Sequence, residues 1–450
     1  MKILLNNHRC DSLTESVQDN VVKSVWNDSI DVGERGVVVF NTFHRTALLF
    51  TDEEYAIYKE GVFSEKIKLI LWQLGMLVSP LRDERKEWCE LYVEHKKAMS
   101  YIDLTVLLTQ RCQMRCVYCF EGDKGKHDIQ TETTDDILRF LATKTDECRR
   151  IRVTWFGGEP LIAYNRMAEL SRRLIGFCTA NAIEYSADMT TNAYSLDDRK
   201  CRELCKELHV GRFIVTLDGT KTVHDKRRPH VSGVSSFERI WHNICTLVSE
   251  GAFVTIRMTI DKDNADNIPQ LLDHIASSEL YGKVGISFCR TVAINFTPQS
   301  VLDSLYSESE FAEVEWKLIE YAHRLGMWRY QFPYAAPLGG CLRDGDIVIG
   351  TDGEVYKCTD TIGDNRWITG HIAPDKNDMT PTPAWYAEWK NWTPLDNPKC
   401  MDCVLMPLCN GGCPHNALFA DKKHGSESAC PDWKANYRRQ IKSLVDEEYT

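Results

Sequence analysis

"RCQMRCVYCFEG", residues 111–122, places Cys112, Cys116 and Cys119 in a C-x3-C-x2-C spacing directly behind the strand-like run "IDLTVLLT" (102–109). Three thiols suit neither a disulfide, which takes two, nor a structural zinc site, which takes four ligands. Held by three thiolates, a [4Fe–4S] cluster keeps one iron open for a further ligand. A zinc site with a ligand borrowed from elsewhere is the alternative. The loop ends the first strand of an alternating pattern, and such proteins carry their chemistry at the C-terminal ends of strands.

Outward from that loop the chain is rhythmic. Strand-like runs at 102–109, "RIRVTWF" (150–156), "IEYSADMTT" (183–191), "RFIVTLD" (212–218), "FVTIRMTID" (253–261) and "KVGISFCR" (283–290) alternate with helical stretches. Examples of the latter are "TTDDILRFLATKTDECRR" (133–150), "YNRMAELSRRLIGFCTAN" (164–181) and "SFERIWHNICTLVSEG" (236–251). Six βα units imply an α/β fold with a parallel sheet, either open and doubly wound or a partial barrel.

The first hundred residues read differently. "GVVVFNTFHRTALLF" (36–50) has the look of a hairpin, and "TDEEYAIYKEG" (51–61) reads as a helix capped by Thr51 and stopped by Gly61. "SEKIKLILWQLGMLV" (64–78) adds a second helix running into a strand, which together suggests a winged-helix-like module. Beyond residue 330 glycine, proline and cysteine rise, and "GDIVIGTDGEVYKC" (345–358) reads as another hairpin. The expected units are therefore 1–98, 99–310, a bridging segment 311–340, and 341–450.

Composition narrows the class. A formal net charge of −11 over 450 residues argues against a nucleic-acid partner, and the local basic patch "DKRRPH" (225–230) does not overturn that. The sequence has no long apolar tract, so no membrane span is expected and the cytoplasm is the expected location. In a reducing compartment the 18 cysteines point to metal or redox chemistry rather than disulfides. Ten fall in two clusters. The other eight (Cys10, Cys89, Cys148, Cys178, Cys201, Cys205, Cys245, Cys289) are expected to be small buried hydrophobes.

The three-cysteine spacing, Tyr118 before the last cysteine, and the place after strand one resemble the radical S-adenosylmethionine (SAM) superfamily. The resemblance implies a partial (β/α)6 TIM barrel with a cluster on Cys112, Cys116 and Cys119 whose open iron chelates SAM. One electron then cleaves SAM to methionine and a 5′-deoxyadenosyl radical, which removes a hydrogen atom from an unactivated carbon. "WFGGEP" (155–160) looks like the family's glycine-glycine-glutamate motif, so Gly157, Gly158 and Glu159 are expected at the SAM ammonium. Thr191 and Asn192 in "TTNAY" are expected near its ribose and carboxylate, and Tyr118 beside the cofactor. Asp218 in "VTLDG" and Arg257 in "TIRMTID" complete the SAM-binding expectation, with satisfied core polar roles as the alternative for both.

At the far end, Cys341, Cys358, Cys400, Cys403, Cys409, Cys413 and Cys430, with Gly353 five before Cys358, resemble the SPASM extension of radical SAM maturases. Two zinc ribbons are the alternative. The resemblance implies two auxiliary [4Fe–4S] clusters, three clusters in all. Cys400, Cys403, Cys409 and Cys430 would hold the distal one, and Cys341, Cys358 and Cys413 the proximal one, leaving one position unassigned.

Chains of this kind with a leading module often modify ribosomally made peptides. The resemblance implies an enzyme that crosslinks a precursor peptide oxidatively (thioether, carbon–carbon or ether), with the leader docked on residues 1–98. An external flavodoxin or ferredoxin would supply electrons. Anaerobic sulfatase-maturating enzymes share both cysteine clusters and carry a basic aspartate directly after the residue matching Cys358. Here "CTD" puts Thr359 in that place, so Asp360, one further on, is the catalytic candidate. A non-catalytic iron–sulfur electron carrier is the reading from another class.

Overall fold

The computed structural model describes residues 1–6, 20–119, 121, 127–293, 297–334, 338, 341–373, 383–419 and 429–448. Cys10 lies outside them. The leading module comprises β1 (Lys2–Asn6), β2 (Val22–Lys23), β3 (Asn27–Asp31), β4 (Val37–Asn41), β5 (Thr46–Phe50), α1 (Asp52–Glu60), α2 (Glu65–Gln73), β6 (Leu77–Val78) and α3 (Glu84–Lys97). Four of the strands form an antiparallel sheet in the order β1-β5-β4-β3, and β2 pairs with β6 as a separate ribbon. Thr51 and Glu54 close a reciprocal capping box on α1, and Gly61 ends it in the left-handed region at φ 79°.

Both faces of the two central strands are buried, which is why β4 and β5 read as unbroken apolar runs. Val39, Leu48 and Phe50 meet Tyr58, Leu71, Leu74 and Met76 on the helical side. On the other face, Ile30, Val38, Phe40, Ala47 and Leu49 meet Leu405 and Leu408 and the side chains of the closing helix Tyr437–Glu448. The module and the chain's far end thus share one core. The sequence reading of 1–98 as a separate unit misses this contact, because periodicity shows that a face is apolar but not what covers it.

The central part runs β7 (Tyr101–Leu107), α4 (Thr131–Ala142), β8 (Arg150–Phe156), α5 (Tyr164–Ala180), β9 (Glu184–Thr191), α6 (Asp198–Lys206), β10 (Val210–Thr216), α7 (Lys221–Arg227), α8 (Phe237–Ser249), β11 (Phe253–Ile260), α9 (Ile268–Ala276) and β12 (Val284–Arg290). The six strands lie side by side in chain order and all parallel. A doubly wound sheet reverses its order at a switch point, and this one does not, so the singly wound arrangement of a barrel wall holds. α4 stops at Ala142, short of the expected stretch, because "TKTDEC" offers no apolar face to continue it.

Beyond the barrel, β13 (Ile347–Ile349) joins β7 in parallel, and β14 (Glu354–Tyr356) and β15 (Gly370–His371) extend the sheet antiparallel to nine strands. The expected hairpin over 345–358 is therefore an edge of the barrel sheet, with β13 against β7 and β14, which runs into Cys358, outside it. Among the described residues no helix is long and apolar enough to cross a membrane.

Candidate active site

At the ends of the strands a cavity of about 330 Å³ is lined by Cys112, Cys116, Tyr118, Cys119, Gly157–Glu159, Thr191, Asn192, Arg228, Arg257, Cys289, Arg290 and Asp360. The cysteine loop is fixed by backbone pairing with the chain after α7. Arg115 N donates to Pro229 O at 2.8 Å, Val117 N to Arg227 O at 2.9 Å, and Val231 N to Gln113 O at 2.9 Å. This pairing satisfies donors that a loop cannot satisfy internally.

The two glycines of "WFGGEP" allow the end of β8 to lie against the same loop. A Cβ on Gly157, at φ +139°, would stand 2.5 Å from Thr109 O, and one on Gly158 would stand 2.5 Å from Arg111 O. Gly158 N and Glu159 N donate to those two carbonyls, each at 2.9 Å. Only glycine permits this approach.

Glu159 has no exposed surface. Its carboxylate accepts from Leu161 N at 3.1 Å, Thr191 Oγ1 at 2.6 Å and Asn192 N at 2.7 Å. A carboxylate has roughly four acceptor positions, so one remains for a further donor. Burial pushes this carboxyl up to about 7, against the pull of its hydrogen bonds and of Arg228. Asn192 also ties the wall to the loop: its Oδ1 accepts from Gln113 Nε2 at 3.1 Å, and its Nδ2 lies 4.0 Å from Cys112 Sγ.

Tyr118 donates its hydroxyl hydrogen to Asp218 Oδ2 at 2.5 Å and accepts from Arg228 Nη1 at 2.6 Å. Asp218 is fully buried, takes Thr259 N at 3.1 Å on its other oxygen, and does not line the cavity. It holds Tyr118 from behind, the core polar role rather than a cofactor contact. Burial raises its carboxyl, opposed by Arg228 and Arg227. Arg257 does line the cavity, its guanidinium makes no hydrogen bond among the described residues, and it acts on Asp360 by charge.

Sequence reasoning missed Arg228, Cys289 and Arg290. The two arginines of "DKRRPH" are interior: Arg227 forms a two-pronged pair with Asp261 at 2.8 and 2.7 Å, and Arg228 lies against Tyr118 and near Cys116. The usable signal was the aspartates closing two strands, Asp218 and Asp261, each of which calls for a buried cation. Of the eight scattered cysteines, Cys148, Cys178 and Cys201 are buried as expected, whereas Cys289 faces the cavity.

The far cysteines fall into two groups. Cys341 and Cys358 hydrogen-bond one another, with Cys413 and Asp360 alongside. Cys400, Cys403, Cys409 and Cys430 gather around Lys434. Among the described residues no three His, Cys, Asp or Glu side chains converge tightly enough to hold a single metal ion. Zinc requires that convergence, whereas a four-iron cluster takes each thiolate on a separate iron. All seven donors are thiols, the ligand type that iron–sulfur clusters take.

Residues 106–275 match the Radical SAM superfamily model, and this segment is a radical SAM domain. The chain is 21% identical over 356 residues to the serine-type anaerobic sulfatase-maturating enzyme of Klebsiella aerogenes, covering 73% of this chain and 84% of that protein. Among solved structures, native anSMEcpe with bound AdoMet is 15% identical, covers 77% of this chain and 100% of that one, and superposes with a TM-score of 0.58. Streptococcus suis SuiB bound to precursor peptide SuiA is 14% identical, covers 91% and 100%, and superposes with a TM-score of 0.52. The two structural likenesses speak to the fold. The chain spans 40 to 61% of the length of the first curated relatives it matches.

Proposed function

We propose that this chain is a radical SAM peptide maturase that works in the reducing cytoplasm. It would abstract a hydrogen atom from a ribosomally made precursor peptide and direct the oxidised product toward a side-chain crosslink. The observation carrying this reading is the single cavity that joins the Cys112–Cys119 loop to Gly157–Glu159, Thr191, Asn192, Arg257 and Asp360. Cys112, Cys116 and Cys119 would hold a [4Fe–4S] cluster, with SAM on its open iron. Bound there, the cluster and SAM supply reductive cleavage of the sulfonium and a hydrogen-abstracting radical.

The chain's own residues do the rest. Glu159 offers its remaining acceptor position to the amino group of SAM, and Arg257 offers an unspent guanidinium to its carboxylate. Tyr118, locked by Asp218 and Arg228, keeps the cysteine loop in one conformation. Asp360 lines the cavity with Arg257 and would take a proton from the substrate. Cys341, Cys358 and Cys413, and separately Cys400, Cys403, Cys409 and Cys430, would hold the two auxiliary clusters that accept an electron after abstraction.

The peptide class rests on the leading module. SuiB, whose structure holds a precursor peptide, covers 91% of this chain, which cannot be reached without part of residues 1–98. The module would dock the leader on a strand edge, and a flavodoxin or ferredoxin would supply electrons. Sulfatase maturation is the second reading, favoured by the Klebsiella relative and by the cavity-facing Asp360.

The test is mass spectrometry on oxygen-free reactions containing the reduced protein, SAM and either of two peptides. One is a short leader-bearing peptide encoded beside the gene, and the other a sulfatase-derived cysteine or serine peptide. Loss of hydrogen mass from the first confirms the proposal. A formylglycine in the second with the first unchanged replaces it by the second reading, and no change in either overturns both.

A further inference from the structure

Lys434 places its ammonium among four thiols. Its Nζ donates toward Cys403 Sγ at 3.7 Å and Cys430 Sγ at 3.8 Å, and it also engages Cys409. The position is built. Lys434 sits in a short turn, Asp432–Ala435, whose two flanks are pinned to the barrel side of the molecule. On one flank, Asp432 takes Arg290 Nη2 at 3.3 Å. On the other, the fully buried Asn436 donates to Ala312 O at 2.9 Å and to Glu315 Oε2 at 2.8 Å on the helix Glu308–Arg324.

The other far group is differently served. The buried ammonium of Lys357 near Cys341 donates to the carbonyls of Arg343 and Asp346, both at 2.7 Å, and so is committed to backbone. A carboxylate, Asp360, acts on Cys341, Cys358 and Cys413. The Cys341 group therefore meets charges of both signs, Lys357 and Asp360, with no ammonium hydrogen-bonded to its sulfurs, whereas the Cys400–Cys430 group has the Lys434 ammonium on two of its sulfurs.

We propose that Lys434 tunes the redox potential of the cluster held by Cys400, Cys403, Cys409 and Cys430, making it the more readily reduced of the two auxiliary centres. This rests on the reading of those cysteines as cluster ligands. Hydrogen bonds to ligand sulfur and net local charge are two levers by which a protein sets a cluster's potential. Reduction adds an electron, and a nearby cation favours the more negative state. An electron leaving the substrate cavity through Cys341, Cys358 and Cys413 would then run downhill toward the lysine side, where Cys430 is exposed.

The experiment uses the full chain with Cys112, Cys116 and Cys119 changed to alanine, so that only the auxiliary centres titrate. Iron is counted, and the reduction waves are followed by EPR in this background, in Lys434→Met and in Lys434→Arg. Iron for two clusters in all three, with one wave moved to lower potential in Lys434→Met and held in Lys434→Arg, is the expected result. Unmoved waves with the iron retained overturn the proposal and leave the cluster reading intact. Less iron than two clusters in the parent overturns both. Iron lost only in Lys434→Met assigns the lysine a folding role and also overturns the proposal.

Discussion

At Glu159 a carboxyl with no exposed surface holds three hydrogen bonds and still sits at about 7, because burial outweighs them. An unfolded glutamate titrates near 4.5, so folding takes up a proton between the two values. The carboxyl's contribution to stability is present below the lower value and lost as pH rises through the upper. The melting temperature of the full chain relative to Glu159→Gln should therefore fall as pH rises from about 5 to about 7.5, read by circular dichroism. A difference that does not change with pH contradicts this. The same variant should weaken SAM binding about tenfold, or about 1.4 kcal/mol, in equilibrium dialysis of the cluster-loaded protein.

Tyr118 is the second decisive residue. Removing its hydroxyl as Tyr118→Phe strands Asp218 Oδ2 and Arg228 Nη1, at a cost of about 1–3 kcal/mol for an unsatisfied buried group. The variant should melt at lower temperature. Asp218→Asn, which keeps an acceptor for the hydroxyl, should lose less. An unchanged melting temperature in Tyr118→Phe would show that the triad adds no stability.

Between elements, the glycine turn after β8 matters most. Gly158→Ala forces a Cβ against Arg111 O and pushes on the loop that carries Cys112. If each cysteine group holds one cluster, the variant should lose about one third of the iron after reconstitution. Full iron retention would show that the loop yields. This element was legible from sequence, because the strand, the loop and the glycine pair are local and contiguous. All six barrel strands were legible for the same reason, since each is a short apolar run between turn signals. The role of Arg228 was not, because the backbone pairing that buries it joins residues 113–117 to 227–231 across most of the barrel. The edge strands β13–β15 were visible as a hairpin, but their attachment to β7 was not.

At the scale of the whole molecule, the chain's end closes over its beginning. The helix Tyr437–Glu448 lays Ile441 and Val445 on the leading sheet, and Asp28 receives the Tyr437 hydroxyl at 2.6 Å and Arg438 Nη2 at 2.6 Å. Ile441→Ala should cost about 2–5 kcal/mol, as large-to-small core changes do, and limited proteolysis should then cut residues 1–98 faster. Unaltered cleavage would mean the module is held by its own helices alone.

Cleavage of SAM at the Cys112–Cys119 loop is read by chromatography of 5′-deoxyadenosine. The oxygen-free, iron-loaded protein is given SAM and dithionite. The intact protein should yield 5′-deoxyadenosine, and the protein with Cys112, Cys116 and Cys119 changed to alanine should yield none. Intact clusters with no 5′-deoxyadenosine would contradict it and leave an electron carrier in its place.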